Sequence, residues 1–517
     1  MTSPSTPPVV SGDQAAGTRA AGAQGWRAEL SARLGRNAGP AWLMAIPPLA
    51  TFVIMVWGIR GPSYWRDEAA TLSAAQRPFG NLLRTLGNID AVHGAYYILI
   101  WVMVRLGGTG EFVTRLPSAV AMAVAAVAVT ALGRRLISLR AGLASGLVFA
   151  VLPQVSLYGQ DARPYAIVVA LAAVASYLLV RAIDAEEARQ RNRWLAWYAV
   201  CLAALGIVDI FGLLLVPAHA VTVGLRLLRL REAGAGTARS LGLRWLAAVA
   251  AGVVLVSPVL VLGYVQKGTL SWLTPPGVGS LKQLRTLIGP ATLVDTVALV
   301  VAAGIVVSAI LGRQRLRGAW PGSVPALCLP WVILPPAILL IGSLITPLYT
   351  LRYVLLCLPA IALLIGAGLS AFGWAAGTAG LVLIAALAWP TQLQVRTADG
   401  HSDNIRRADR IVAANRRPGD AVLEFKAENF AQAYPFGIRD LIPVAQAESP
   451  IGSATLVGTF LPDPVVRQRL TRVSRVWVIE YAHPTPLVVL NGLHFQLIHA
   501  WRTSDIWLYL YAHPEGG

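Results

Sequence analysis

Residues 61–76 read GPSYWRDEAATLSAAQ and follow directly on an apolar segment at 41–59 that carries no charge. That segment has nineteen residues, about the length of a helix that crosses a bilayer. Arg66, Asp67 and Glu68 stand side by side just after it. A loop that leaves a membrane must be polar somewhere, so the triplet alone does not establish a site. It does mark a boundary at which ionisable groups meet an apolar medium.

The composition predicts a polytopic α-helical membrane protein. The chain has 517 residues, of which 56% are hydrophobic and 13% charged, whereas soluble domains contain roughly a quarter charged residues. The net charge of +18 would suggest nucleic-acid binding in a soluble protein. Here the arginines lie mostly in short loops between apolar segments, where they report topology, so no nucleic-acid partner is expected. The three cysteines fall in apolar runs and have no disulfide or zinc spacing.

Apolar segments long enough to span a membrane recur along the chain. They lie near 41–59, 116–132, 141–157, 164–182, 194–207, 208–225, 245–264, 290–311, 323–344, 353–370 and 372–390. We therefore predict about eleven transmembrane helices, with membrane lipids as neighbours. Asp209 interrupts one long apolar stretch, and we expect it near a tight exoplasmic turn.

The arginines predict the orientation, because cytoplasmic loops are enriched in Lys and Arg. The segments 1–40, 133–140, 181–193, 226–244 and 313–317 together carry nineteen of the forty-three basic residues. They form every second loop, which predicts a cytosolic N-terminus and a multi-pass protein of the plasma (inner) membrane. The exoplasmic face then holds residues 60–115, 158–165, 265–289, 346–352 and 391–517.

Three parts of the chain are expected. Residues 1–40 are rich in Ala, Gly, Ser and Pro, which predicts a disordered cytosolic tail. Residues 41–390 form the transmembrane domain, whose loop at 60–115 is expected to hold two amphipathic helices on the membrane surface. Residues 391–517 are expected to form a small exoplasmic α/β domain. In that domain, the pattern predicts a helix at 402–414 and strands at 421–425, 454–459, 475–481 and 505–511.

Several segments resemble a known family when they are taken together. They are YWRDEAAT, HGAYYILIWVMVRLGGTGEFVTRLPSAV with ALGRRL, LYGQDARPYA, and PLYTLRYVLLCLPAIALLIGAGL, in that order across roughly 60–370. This combination resembles the GT-C membrane glycosyltransferases, and within them the glycosyltransferase 39-like branch of protein O-mannosyltransferases and the aminoarabinose transferase of lipid A. HGAYY departs from the family, which more often has His-Pro-Pro followed by aromatic residues.

The resemblance implies a GT-C-like fold and a hexosyl- or pentosyltransferase. Such an enzyme would move a sugar, mannose or a pentose, from a polyprenyl-phosphate donor to a glycan, lipid or protein acceptor on the exoplasmic face. The abundance of Arg, Ala and Gly is typical of a GC-rich bacterial genome, and an actinobacterial cell envelope would suit this chemistry. The residues are consistent with such an enzyme, because a lipid-linked donor requires membrane spans, surface helices and polar groups at one interface.

Asp67 is the first candidate catalytic residue, because glycosyl transfer needs a base to accept the proton of the attacking hydroxyl. The family's acidic first-loop motif matches Asp67 and Glu68. Desolvation near a membrane can raise the pKa of a carboxyl and improve it as a base. The alternative is that Asp67 caps a helix N-terminus. Glu68 could orient Asp67 or share a metal with it, or it could be a solvated first-turn residue.

Asp161 and Arg163 follow in a second predicted exoplasmic loop. Asp161, with Asp67, could bind the acceptor or a divalent cation such as Mg²⁺ or Mn²⁺, because hard cations take carboxylate oxygens. No cofactor beyond that is expected. Arg163 could hold the donor phosphate with its forked donors. The alternative is a surface ion pair between these two side chains.

The remaining candidates are expected to bind substrate. Arg352, at the exoplasmic start of a span, could neutralise the leaving polyprenyl phosphate or simply extend to lipid headgroups. Lys267 is a weaker candidate for the same role. Tyr97 could stack on a sugar or belong to the aromatic belt of the membrane interface. His93 could bond the donor or cap a helix end.

A lipid or glycan transporter of the cell envelope is the alternative function. Its signature would be charges at the membrane midplane and internal repeats, whereas the polar residues here cluster at one face. A non-catalytic scaffold that presents the C-terminal domain would not need Asp67, Asp161 and Arg352 together. The sequence contains no Walker loop or dinucleotide fingerprint.

Overall fold

A computed structural model describes residues 41–231, 235–310, 323–425, 427, 429–481, 488–490 and 492–514. The expected disordered tail at 1–40 lies outside these residues. The membrane part is helical. Its helices are α1 Ile46–Val56, α2 Arg66–Ala75, α3 Phe79–Asn88, α4 Gly94–Gly107, α5 Glu111–Leu136, α6 Leu139–Val151, α7 Pro153–Gly159, α8 Tyr165–Ile183, α9 Ala188–Val208, α10 Leu215–Arg231, α11 Ala235–Val265, α12 Val278–Arg285, α13 Ala291–Ile310, α14 Ser323–Gly342, α15 Leu358–Ala371 and α16 Trp374–Val395.

Each of the eleven predicted spans coincides with a helix, but not every helix is long and apolar enough to cross a membrane alone. Among the described residues seven helices meet that condition, and the bent pair α6–α7 makes eight. The helices at 42–56 and 291–307 are apolar but shorter. Helix α9 begins with the charged sequence ARQRNR, which leaves too few apolar residues for a full span. The protein is a multi-pass membrane protein, and its described residues contain fewer full-length spans than the eleven predicted.

Close packing of small residues joins the helices around α15, most of whose residues are buried. A Cβ on Gly366 would lie 2.2 Å from Ser145 Oγ, and one on Gly133 would lie 2.9 Å from the Cα of Gly142. Lipid tails are as apolar as the side chains, so helices in a membrane gain contact mainly where such small residues let their backbones approach.

The first loop is more structured than expected. The first predicted amphipathic helix is split by Pro78 into α2 and α3, and a short 3-10 helix at Ala91–His93 leads into α4. Helix α2 is largely buried, because the C-terminal domain covers it. It is therefore not a helix on the membrane surface, and its N-terminal turn holds a partly exposed Asp67 beside a buried Glu68.

The C-terminal domain contains helices and a mixed sheet. Its helices are α17 Ile405–Asn415, α18 Phe430–Ala433 and α19 Asp463–Leu470, and its strands are β1 Ala421–Phe425, β2 Ile442–Pro443, β3 Gln446–Glu448, β4 Thr459–Phe460, β5 Arg475–Tyr481, β6 Gln496–Thr503 and β7 Ile506–Ala512. The larger sheet has the order β2-β1-β5-β7-β6. Strand β1 pairs in parallel with β2 and β5, and β7 is antiparallel to β5 and β6.

The C-terminal domain sits on the first loop through several polar contacts. The backbone N–H of Tyr64 donates to the hydroxyl of Tyr434 at 2.9 Å. Arg406 donates to the carbonyl of Pro62 at 3.1 Å and forms an ion pair with Glu111 at 2.7 Å. The first loop and the C-terminal domain therefore lie on the same side of the helical bundle.

Candidate active site

A cavity of about 390 Å³ opens between the first loop, the bundle and the C-terminal domain. Its wall is formed by Arg66, Asp67, Ala70, Ile89, Asp90, Val92, His93, Tyr97, Arg163, Tyr165, Asp209, Ile210, Phe211, Gly263, Thr269, Trp272, Arg352, Tyr353 and Leu456. Five of the sequence candidates are among these residues: Asp67, His93, Tyr97, Arg163 and Arg352. The cavity thus joins segments that are far apart in the chain.

Asp67 is the second residue of α2 and lines the cavity. Trp65 occupies the N-cap position, so Asp67 is not the cap itself. Its carboxylate is bonded to Arg352 and lies 3.9 Å from Arg66. Burial by itself would raise the pKa of Asp67, but Arg163, Arg352 and Arg66 together hold that pKa below its usual value. Desolvation was expected to raise the pKa of Asp67, but the three guanidinium groups outweigh that effect.

Arg352 stands in the cavity wall at the start of the span Leu351–Ala371. Its guanidinium lies 4.9 Å from the ring centroid of Trp272 and 5.8 Å from that of Trp65. Among the described residues its Nε has no hydrogen-bond partner, although it is buried. Arg352 is thus fixed by aromatic rings and by Asp67 while one of its donors remains available.

Arg163 and His93 meet in the same wall. The Arg163 Nη2 donates to His93 Nε2 at 3.2 Å, and His93 Nδ1 lies 2.7 Å from Asp90 Oδ1. Arg163 Nε is buried and has no partner among the described residues. Arg163 does not pair with Asp161 on the surface, which was the alternative expectation, because it is turned toward the cavity.

Glu68 does not face the cavity. Both of its carboxylate oxygens accept from Arg115, at 2.8 and 2.7 Å, and neither side chain is exposed. The backbone N–H of Ala162 also donates to Glu68 at 2.8 Å. Burial would raise the pKa of Glu68, but Arg115 lowers it, so this group stays ionised. Glu68 is neither a solvated first-turn residue nor a neighbour of the cavity, and its contacts join α2 to α5 and to the loop before α8.

Asp161, like Glu68, lies behind the cavity wall and does not line the cavity. It is buried, and the indole Nε1 of Trp65 donates to its Oδ1 at 3.0 Å. Burial raises the pKa of Asp161 well above its ordinary value, and the nearby charge of Glu68 raises it further. Since Trp65 immediately precedes α2, Asp161 supports the turn from which Asp67 projects.

The sequence left open whether Asp67 and Asp161 hold a metal, and the structure groups a different set of potential ligands. Ligand atoms of Glu68, Asp161 and His401 lie within 4.8 Å of one another. Arg115 already occupies both oxygens of Glu68 and brings a positive charge to the cluster. These residues therefore fit a divalent cation poorly, because a guanidinium and a cation would compete for the same oxygens.

Lys267 is exposed, lies 4.8 Å from the ring centroid of Tyr264 and is absent from the cavity wall. Sequence reasoning missed Arg66 and Asp90 as wall residues, and it placed Asp209 only in a turn. Asp209 is buried at the break between α9 and α10 and lines the cavity. The spacing of Asp90 and His93, three residues apart, was the one available signal for Asp90.

The chain is similar to known membrane glycosyltransferases in sequence and in fold. A family model described as dolichyl-phosphate-mannose-protein mannosyltransferase matches residues 94–262. This match over part of the chain, together with the fold, supports the predicted GT-C class and the prediction of a membrane glycosyltransferase. No curated protein matches the chain.

Solved structures share the fold at low sequence identity. ArnT from Cupriavidus metallidurans in the apo state has a TM-score of 0.59 and 13% identity, over 91% of this chain and 97% of that chain. The same protein bound to undecaprenyl phosphate has a TM-score of 0.56 and 14% identity, over 92% and 98%. The arabinofuranosyltransferase AftD from Mycobacteria has a TM-score of 0.51 and 14% identity, over 92% of this chain and 40% of that chain.

Proposed function

We propose that this glycosyltransferase moves a sugar, mannose or a pentose, from a polyprenyl-phosphate carrier to an acceptor hydroxyl on the exoplasmic face of the plasma membrane, with Asp67 as general base. The observation that carries the proposal is the wall shared by Asp67, Arg163 and Arg352 at the start of a span. A carboxylate and two arginines are the groups that transfer from a lipid phosphate requires. The ArnT structure with undecaprenyl phosphate supports the carrier class.

The carrier's position follows from its chemistry. Its polyprenyl chain stays in the bilayer, so its phosphate reaches the cavity from the membrane side, where Arg352 begins the span. The available donors of Arg352 and Arg163 suit phosphate oxygens, since charge-assisted bonds to a guanidinium are strong. They also stabilise the charge that develops on the leaving phosphate.

The transfer step uses Asp67 as the proton acceptor. The acceptor oxygen attacks the anomeric carbon and its proton passes to the Asp67 carboxylate, while the bond between that carbon and the phosphate oxygen breaks and its electron pair stays on the phosphate. Before the donor binds, Asp67 is neutralised by Arg352. A phosphate that engages Arg352 and Arg163 weakens their hold on Asp67 and makes the carboxylate a better base.

The transporter alternative has less support. A titratable residue inside the bundle would be its signature, and His219 lies within the span Ile210–Leu230. Both of its ring nitrogens are bonded, to Ser176 Oγ at 3.0 Å and to the Tyr198 hydroxyl at 2.9 Å. His219 is therefore explained as a polar contact between helices.

The test is transfer by Asp67→Asn, which keeps the shape of the side chain and removes the base. Purified protein in lipid nanodiscs is given undecaprenyl phosphate linked to radiolabelled mannose or arabinose, with membranes from a strain lacking the gene as the acceptor pool. We expect label transfer to fall by about 100-fold or more, the usual contribution of a general base.

Asp295→Asn is the matched control, since Asp295 is an exposed carboxylate away from the cavity, and it should transfer like the wild type. Full turnover by Asp67→Asn would end the assignment of the base. If the wild-type protein transfers neither sugar from the carrier, mannose and arabinose are excluded as the donor sugar.

A further inference from the structure

Asp90 lines the cavity but takes no part in the transfer step described above. It directly precedes the 3-10 helix Ala91–His93 and has a φ of 60°. This left-handed conformation is uncommon for a residue with a side chain, although Asp and Asn tolerate it better than most. An acidic side chain in such a backbone beside a phosphate-binding cavity needs an explanation.

The carboxylate of Asp90 is bound on both oxygens. Its Oδ1 lies 2.7 Å from His93 Nδ1, and its Oδ2 accepts from the hydroxyl of Tyr97 at 2.5 Å. Burial would raise the pKa of Asp90, but His93, followed by Arg163, holds that pKa well below its usual range. Asp90 is therefore an ionised, fully bonded group that is not available as a base.

The bond to Asp90 decides which nitrogen of His93 is free to accept. A carboxylate at Nδ1 keeps the proton on that nitrogen, which leaves Nε2 as the acceptor in the neutral ring. Arg163 donates to Nε2 from its Nη2 at 3.2 Å. The chain of contacts from Asp90 through His93 thus ends on the guanidinium of Arg163, one of the two arginines that the transfer requires.

The backbone that carries Asp90 is fixed against the end of α11. The side chain of Gln266 accepts from the N–H of Ala91 at 2.8 Å and donates to the carbonyl of Leu86 at 3.0 Å. A Cβ on Gly263 would lie 2.8 Å from Val92, so a glycine allows this close approach. Asp90 and His93 are held from outside the cavity and can act as a rigid support.

We propose that Asp90 is a positioning residue: through His93 it holds the Arg163 guanidinium in the cavity wall, where its remaining donors meet the phosphate of the carrier. This inference rests on the proposed function and adds a residue that the transfer mechanism does not use. Asp90 acts on phosphate affinity only by way of Arg163.

A double-mutant cycle with undecaprenyl phosphate as the probe tests this role. The variants are Asp90→Asn, Arg163→Ala and the double variant, since Asn also tolerates the left-handed backbone. We expect Asp90→Asn to weaken binding about fivefold and Arg163→Ala about tenfold or more, whereas the double variant should bind no more weakly than Arg163→Ala alone, because coupled residues are not additive. Lys282→Ala, which removes an exposed cation away from the cavity, is the control and should bind like the wild type.

His93→Ala supplies a second measurement that keeps the backbone at Asp90 intact. It should weaken binding of undecaprenyl phosphate as much as Asp90→Asn does, and it should cause no further loss of affinity when it is combined with Arg163→Ala. Unchanged melting temperatures establish that the variants fold. Two results would overturn the positioning role and leave the proposed function standing. One is that the losses of affinity in the double variant are additive; the other is that Asp90→Asn binds like the wild type while Arg163→Ala binds more weakly. A wild-type protein that does not bind undecaprenyl phosphate would overturn both.

Discussion

Arg352 controls the balance of charge in the cavity, because it pairs with Asp67 and also has a donor left for a phosphate. Arg352→Ala should raise the donor KM by about 10- to 100-fold, the value of a hydrogen bond between charged groups. Arg352→Lys should restore part of that loss if charge alone is required, and less if the planar fork matters. Steady-state kinetics with the labelled carrier measures both, and an unchanged donor KM in the two variants would contradict the phosphate role.

Asp403 supports the same turn of α2 from the C-terminal domain. Its Oδ2 accepts from the N–H of Arg66 at 2.9 Å. Burial raises the pKa of Asp403 to about 6, and contacts with Arg66 and Tyr481 only partly oppose that shift. A carboxyl whose folded pKa is raised contributes stability that is present at low pH and is lost as the pH rises through about 6.

Asp403→Asn keeps an oxygen for the N–H of Arg66 and removes this titration. Relative to the wild type, the variant should gain about 2 kcal/mol of stability between pH 4 and pH 7. Melting temperatures of both proteins across that range provide the measurement. A constant difference between the two curves would show that Asp403 does not titrate there.

At the scale of elements, the segment 449–458 joins the C-terminal domain to α2 and α3 through hydrogen bonds. Arg77, which is buried, donates to the carbonyl of Thr455 at 2.6 Å, to the carbonyl of Ser73 in α2 at 2.7 Å and to the hydroxyl of Thr85 in α3 at 2.7 Å. Ser73 and Asn81 donate to the carbonyls of Leu456 and Ile451. Leu456 in turn forms part of the cavity wall, so this segment connects the domain to the site.

Arg77→Ala should destabilise the protein by about 2–4 kcal/mol, because it leaves buried carbonyls without donors. The same change should expose the segment 449–458 to limited proteolysis. Arg84→Ala removes an exposed arginine from the neighbouring helix and serves as the control. Equal melting temperatures and equal cleavage for the two variants would show that Arg77 does not hold the segment.

At the scale of the whole molecule, the orientation in the membrane is the prediction on which the site depends. Single cysteines at Thr109, Gln190 and Gln468, all exposed positions, can be introduced after the three native cysteines are replaced. Those at Thr109 and Gln468 should react with an impermeant thiol reagent in cells whose outer layer has been opened, whereas the one at Gln190 should react only after lysis. Reaction at Gln190 without reaction at Thr109 would reverse the topology and place the cavity in the cytosol.

The elements of the C-terminal domain were predictable to different degrees. The strands at 421–425 and 475–481 have the predicted bounds. Both are apolar segments rich in strand-forming residues, and both have sheet partners on each side. The expected strand at 454–459 was wrong over most of its length. The chain instead turns at Ala454 and Gly458, which both have positive φ. The carbonyls of this segment accept from Ser73 in α2, from Arg77 after it and from Asn88 in α3. Strand β6 was missed because it is mostly exposed and shows no alternation.

The sequence by itself determined the membrane class, the positions of the apolar helices and five of the residues at the cavity, because hydropathy and motif order are local properties of the chain. Tertiary structure alone decided which carboxylate faces the cavity. Asp67 and Glu68 are adjacent, and a helix turns about 100° per residue, so they point to different partners. Arg115, far along the chain, draws Glu68 into the interior, and Arg352, farther still, meets Asp67 at the wall. Those partners come together only when the bundle, the first loop and the C-terminal domain pack against one another.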